Sequence, residues 1–254
     1  MKLHVLGSGT AIPHPERGAS GYALVAEDGS ACLIECGPGS TRRWPAVPVT
    51  FQSARAIFVS HYHVDHCCDL AAVLFGRALA LPDARLALLG PAGHRAHVEG
   101  IRSLYTPFLS DERGLEDVVE MGDGDVVTVG PFEIESRCVL HAEGALGVRV
   151  RAGSATFAFS GDSGPCDALV ELIRDADLVM LECSYPAARA TRTHLTTQTA
   201  AQVALDAGVT RLVLTHFYPM CDDVDLEAEV RAAGYAGWLH LARDGDSIDV
   251  ARYT

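Results

Sequence analysis

Short apolar runs rich in β-branched residues alternate with helix-period segments along this chain. Near the N-terminus the pattern predicts strands at 2–6, 20–26 and 31–35, the last closed by the turn residues Gly37-Pro38-Gly39. The run 55–60 reads as a buried strand, and a helical period follows from about 66 to 80. A strand at 85–89 ends at Gly90-Pro91, after which a helix is expected. From 118 to 160 the pattern is mostly strand punctuated by glycine, at 126–129, 132–139, 146–151 and 155–159. The last third then alternates helix 165–175, strand 178–182, helix 196–207, strand 211–215 and helix 224–233, with short strands near 238 and 247–251. Two strand-rich halves with helices outside them predict a layered α/β sandwich rather than a doubly wound sheet.

Composition narrows this picture. The 254 residues show no fixed-period repeat, low-complexity segment or linker-like shift, so a single domain over 1–254 is expected. The most apolar stretch, Ala71 to Leu89, is broken by Arg77, Pro82, Asp83 and Arg85, short of the roughly 20 clean apolar residues of a membrane span. Met1 to Gly7 lacks the apolar core of a signal peptide, so a cytoplasmic location is expected. With 33 acidic against 20 basic residues the net charge is −13, which argues against an extended nucleic-acid groove. It leaves room for a small anionic substrate, because a metal can supply local positive charge. The eight cysteines contain no Cys-x-x-Cys pair and read as reduced, mostly buried thiols.

The informative segment is His61-Tyr62-His63-Val64-Asp65-His66, where the strand 55–60 gives way to a helix. Three imidazoles and a carboxylate within six residues fit neither one helical face nor a clean strand alternation. On a loop at a strand end they can converge on one point, and they are the donors that zinc and similar divalent ions take in hydrolytic sites.

This segment resembles the His-x-His-x-Asp-His signature of the metallo-β-lactamase superfamily, whose fold is a four-layer αββα sandwich with a two-metal centre. Later blocks match the same pattern in order: Val139-Leu140-His141, Phe159-Ser160-Gly161-Asp162-Ser163, and Leu214-Thr215-His216. The resemblance implies one divalent ion held by His61, His63 and His141, a second held by Asp65, His66 and His216, and Asp162 bridging both. Zinc is expected, with manganese or iron as alternatives. Such a pair clamps the attacking and leaving oxygens and brings a bound water to a pKa near 7, and Asp65 would help to orient it.

A narrower resemblance is to the ribonuclease Z and phosphodiesterase branch. It rests on Leu6-Gly7-Ser8-Gly9-Thr10-Ala11-Ile12-Pro13, Gly90-Pro91-Ala92-Gly93, His194-Leu195-Thr196-Thr197 and His216-Phe217-Tyr218-Pro219. It implies that His194 protonates the departing oxygen, and that two chains pair as a homodimer. Two departures stand out. The long tRNA-gripping arm of ribonuclease Z enzymes has no room between Arg151 and Thr156, and Glu35-Cys36-Gly37 replaces the usual Asp-Cys-Gly.

Weaker signals are read structurally. Gly7-Ser8-Gly9 lacks the third glycine of a dinucleotide fingerprint and is read as a turn passing near the site. Cys67 and Cys68 are expected to pack a helix, Asp69 to orient a ligand imidazole, and His94 with His97 to form a solvated helix face. Glu182 is read either as a support for the site or as a plain strand-end carboxylate. The pocket should come from loops near 10–20, 100–115 and 185–195, which carry Tyr105, Phe108, Tyr185, Arg189 and Arg192. The leading expectation is a dinuclear hydrolase of a small anionic, nucleotide-like phosphodiester. The alternatives are hydrolysis of a lactone, thioester or β-lactam, an iron-dependent oxidoreductase, and a non-catalytic binding module.

Overall fold

A computed structural model describes residues 1–109, 115–189 and 191–251. β1 (Lys2–Gly7), β2 (Gly21–Val25) and β3 (Ala31–Ile34) form an antiparallel meander, and β4 (Ala54–Phe58) then runs parallel to β3. α1 (Val64–Cys67) and α2 (Leu70–Ala80) lead to β5 (Leu86–Gly90), and α3 (His94–Leu104) to β6 (Glu116–Glu120), both parallel additions. β7 (Val126–Val129), β8 (Phe132–Cys138), β9 (Leu146–Ala152) and β10 (Ala155–Phe159) follow as antiparallel neighbours. Then α4 (Asp167–Ile173), β11 (Leu178–Glu182), α5 (Thr197–Asp206), β12 (Arg211–Thr215), α6 (Leu226–Ala232) and β13 (Trp238–Leu241) extend the second sheet in parallel. Finally β14 (Ser247–Asp249) crosses back to pair with β1. Among the described residues the two sheets run β14-β1-β2-β3-β4-β5-β6 and β13-β12-β11-β10-β9-β8-β7.

The unbroken apolar strands follow from burial on both faces. In β4, Ala56 and Phe58 enter the core between the sheets, while Ile57 turns to the outer core beneath α2 and α3 with Leu70, Val73 and Val98. In β11, Leu178 and Met180 face the inner core, and Val179 and Leu181 face the outer one with Leu169, Ala200 and Val230. Three apolar layers thus separate four structural ones, the αββα sandwich expected from the resemblance. The turn between β9 and β10 is Gly153-Ser154, which leaves no arm there. No helix among the described residues is long and apolar enough to cross a membrane.

Three local readings change. The helix expected from 66 to 80 is two helices, because the Asp69 N–H donates to the Cys36 carbonyl (2.8 Å) instead of continuing the helical ladder. Asp69 does not orient an imidazole. Its Oδ2 accepts from Gly39 N (3.0 Å), Thr41 N (3.1 Å) and Thr41 Oγ1 (2.7 Å), so it staples the turn after β3. The edge strand β6 escapes the apolar pattern because its Glu116 is used by charge. Buried Arg77 donates to Glu116 Oε1 at 3.1 Å, and to the Phe51 and Ala84 carbonyls.

Candidate metal centre

The candidate residues stand at the carboxyl ends of parallel strands, the place where open α/β sheets put their sites. Glu35 follows β3 and His61 follows β4; Asp162 follows β10, Glu182 ends β11 and His216 follows β12. Glu35 and His216 both hold φ 61°, in the left-handed region that ordinary residues avoid. Each thus leaves its strand by a sharp turn, held by packing, that aims the side chain across the sheet ends. Gly37 has to be glycine, because a Cβ there would lie 2.1 Å from the Asp65 carbonyl oxygen.

The structure brings His61, His63, His141 and Asp162 into one group and Asp65, His66 and His216 into another, with the ligand-type atoms of each within 4.8 Å of one another. Asp162 faces both. Its Oδ2 lies 3.9 Å from His61 Nε2 and 3.8 Å from His141 Nε2, and its Oδ1 lies 3.4 Å from His66 Nε2 and 3.5 Å from His216 Nε2. Asp65 Oδ2 sits 3.4 Å from His216 Nε2 and 3.7 Å from His66 Nε2. His63 Nδ1 lies 2.9 Å from His61 Nε2 and 3.3 Å from His141 Nε2.

Apart from the His61–His63 contact at 2.9 Å, these separations fit a shared cation better than mutual hydrogen bonds. Two donors about 2.1 Å from one tetrahedral ion stand about 3.4 Å apart. Buried His66 Nε2 and Asp162 Oδ1 also have no hydrogen-bond partner, although buried polar atoms nearly always have one. The donor set, nitrogen and carboxylate oxygen without thiolate, suits zinc, manganese or iron.

The outward nitrogens are held separately. Ser60 Oγ meets His61 Nδ1 at 2.9 Å, Glu35 Oε1 lies 3.4 Å from His66 Nδ1, the Thr193 carbonyl meets His141 Nδ1 at 2.9 Å, and Ser184 Oγ meets His216 Nδ1 at 3.0 Å. The hydrogen-bonded partners fix which nitrogen of His61, His141 and His216 is free to ligate, while His66 Nδ1 has only the Glu35 carboxylate nearby. Glu182, fully buried, is a support for the site rather than a plain strand end. It accepts from Ser163 N (3.0 Å), Ser184 N (3.0 Å), Ser184 Oγ (2.7 Å) and His194 Nδ1 (2.9 Å). Ser60, Ser184 and the Thr193 carbonyl carried no sequence signal beyond adjacency to a candidate residue.

Burial and neighbouring imidazoles push His61 down to about 2. Burial acts to raise Asp65, but its contact with His216 and the charge of His66 outweigh it and hold the carboxyl at about 2. Burial lowers His194 in turn, yet the Glu182 carboxylate outweighs it and raises the imidazole above its usual range. His194 lies 3.9 Å from Asp162 Oδ2, with Tyr185 and Tyr218 at ring distances of 5.8 and 6.4 Å.

The N-terminal turn does pass the site. Ala11 N donates to Asp65 Oδ2 (3.0 Å), and Phe217 N to the Ser8 carbonyl (3.0 Å). That turn is clamped by nearly buried Asp244, which accepts from Ser8 N (2.8 Å), Ser8 Oγ (2.8 Å) and Gly18 N (2.7 Å) and pairs with Arg43 (2.9 Å). His94 and His97 do not form a solvated face. His94 is fully buried and both its ring nitrogens lack partners, while Tyr62 stacks on His97 at 4.7 Å and on His94 at 6.1 Å. Cys67 is buried as expected of a packing residue, but Cys68 is exposed. With Phe75, Tyr105 and Phe108 it lines an apolar groove beside α2. Residues 110–114 and 190 of the expected pocket loops lie outside the described residues.

The profile described as a Beta-lactamase superfamily domain matches residues 31–217. An uncharacterised protein of Mycobacterium tuberculosis is 31% identical over 99% of this chain and 93% of its own. A ribonuclease Z of Kineococcus radiotolerans is 29% identical over 98% of this chain and 95% of its own. The crystal structure of the metallo-beta-lactamase fold protein YhfI from Bacillus subtilis superposes with a TM-score of 0.80 at 25% identity, covering 97% of this chain and 98% of that one.

Proposed function

The chain belongs to the beta-lactamase superfamily and is a metal-dependent hydrolase, and from that premise we propose that it cleaves a small anionic phosphodiester with two divalent ions, zinc foremost. In this reading His61, His63 and His141 hold one ion and Asp65, His66 and His216 the other, with Asp162 shared, all within a single hydrolase domain spanning 1–254. When bound, the ions supply Lewis-acid polarisation of the phosphoryl group and acidify water to neutral pH.

The chain's own residues supply orientation and a proton. Ala11 N restrains the Asp65 carboxylate, so that it accepts a proton from the attacking water in one fixed direction. Glu182 Oε1 accepts the Nδ1 proton of His194, which leaves Nε2–H as the donor to the departing oxygen. Tyr185 and Tyr218 wall this side and exclude bulk water.

The observation that carries the phosphodiester reading is the Glu182–His194 pair (2.9 Å) beside the cluster. A proton donor held in its charged form serves an alkoxide leaving group, which departs poorly unprotonated. The test compares His194→Ala with wild type on two substrates after loading with zinc or manganese. Turnover of an alkyl phosphodiester should fall by about 10²–10³-fold. Turnover of bis(p-nitrophenyl) phosphate, whose leaving group needs no proton, should fall much less. Thioester hydrolysis without phosphodiester hydrolysis would overturn the reading and favour a carbonyl substrate.

A further inference from the structure

We propose that Arg189 and Arg192 form a recognition site for a second phosphate of the substrate, next along from the bond that is cleaved, so that the preferred substrate is a short, terminally phosphorylated oligonucleotide. This rests on the phosphodiester reading and names its substrate class.

In a chain of net charge −13 many arginines already pair with a carboxylate, as Arg17 does with Asp222, Arg43 with Asp244, Arg77 with Glu116 and Arg137 with Glu171. Arg189 and Arg192 make no ion pair among the described residues. Their segment is also the one that supplies His194 and, through the Thr193 carbonyl, holds His141. Other arginines without a carboxylate partner, such as Arg42 and Arg174, stand on segments that hold no candidate ligand.

The described residues on either side are anchored. Ala187 N donates to Glu229 Oε2 (2.9 Å), and Tyr185 bridges to Thr196. The Arg192 carbonyl is packed so closely on Gly164 that a Cβ there would lie 1.8 Å from it. The Arg189 guanidinium rests 4.6 Å over the Tyr185 ring, and among the described residues its only hydrogen bond is a weak one to Met220 Sδ (3.5 Å). A guanidinium held on an aromatic face keeps its planar fork of donors free, at low ordering cost, for a phosphate or carboxylate. Since Tyr185 is also the neighbour of His194, Arg189 stands one ring away from the proton donor. A phosphate next along from the scissile one would be carried toward that guanidinium.

The test uses zinc-loaded enzyme and two dinucleotides that differ only at the 5′ end, pApA and ApA. Wild type should favour pApA in KM by about tenfold, the scale of one charge-assisted contact. The preference should shrink with salt and fall close to one in the Arg189→Gln/Arg192→Gln double variant. Equal KM values in wild type, or a preference that survives in the double variant, would overturn the site. Equilibrium binding of the same pair to zinc-loaded His194→Ala separates the two ideas. Preferential pApA binding with no turnover by wild type would leave the anion site standing and overturn the phosphodiester reading.

Discussion

The first sheet sends four candidate ligands to the cluster from one six-residue loop after β4, whereas the second sheet sends His141, Asp162 and His216 singly, each from a different strand end. Their supports differ accordingly. On the first-sheet side Glu35 lies beside one imidazole and accepts from Ser60 N (3.2 Å), and Ser60 Oγ meets another imidazole. On the second-sheet side Glu182 holds two loops and, through Ser184, ties His194 to a candidate ligand. A loop of contiguous residues is positioned by its own backbone. Scattered residues need a shared buried partner to reach the same precision.

The largest test removes the one residue that faces both groups. Asp162→Ala should empty both halves of metal and lower turnover by about 10³-fold or more, since several kcal/mol of charge stabilisation go with the ions. Elemental analysis beside a phosphodiester assay checks this, and retention of full metal content would break the shared role.

Next in size, Glu182→Gln should lower turnover by about 10²-fold, at the upper end for a partner of a metal-ligating residue. It should also shift the alkaline limb of the pH–rate profile, because His194 loses the carboxylate that holds its charge. An unmoved limb would separate Glu182 from the proton donor.

The third test concerns stability on the first-sheet side. Burial, with a smaller push from His97, lowers His94 from 6.5 to about 4. Between those values the unfolded chain binds the proton that the folded chain refuses. Stability contributed by neutral His94 is therefore complete above pH 6.5 and is lost as pH falls towards 4, by about 2 kcal/mol at pH 5. Urea melts of wild type and His94→Gln at pH 7 and 5 should show a smaller loss in the variant. An equal loss would remove His94 as the cause.

The smallest effect is expected from Glu35→Gln, about tenfold in metal affinity measured by chelator competition, because a single imidazole loses its acceptor. A loss matching that of Glu182→Gln would erase the asymmetry between the two sheets.

That asymmetry also decides what could be read from the chain. The loop from His61 to His66 declares metal chemistry within six residues, and the strand periods declare the layers. His141, Asp162 and His216 are each common residues at a strand end, and became candidates only through order and resemblance. Side-chain environment was less legible. Helical spacing exposes His94 and His97 on paper, but the Tyr62 ring covers them. Asp69 sits beside the signature, yet the turn at Gly39 and Thr41 captures its carboxylate first. Nothing local marks Asp244 as a clamp on a turn some 230 residues earlier, because that contact exists only once the sheets have closed.

Asp244 bears on how the protein matures. A chain made from its N-terminus has every candidate ligand in hand once His216 has emerged. The turn that steadies Asp65 still waits for Asp244, and β1 waits for β14. Contacts made late in the sequence therefore lock an element near its start, so the turn beside Asp65 is steadied only after most of the chain has folded.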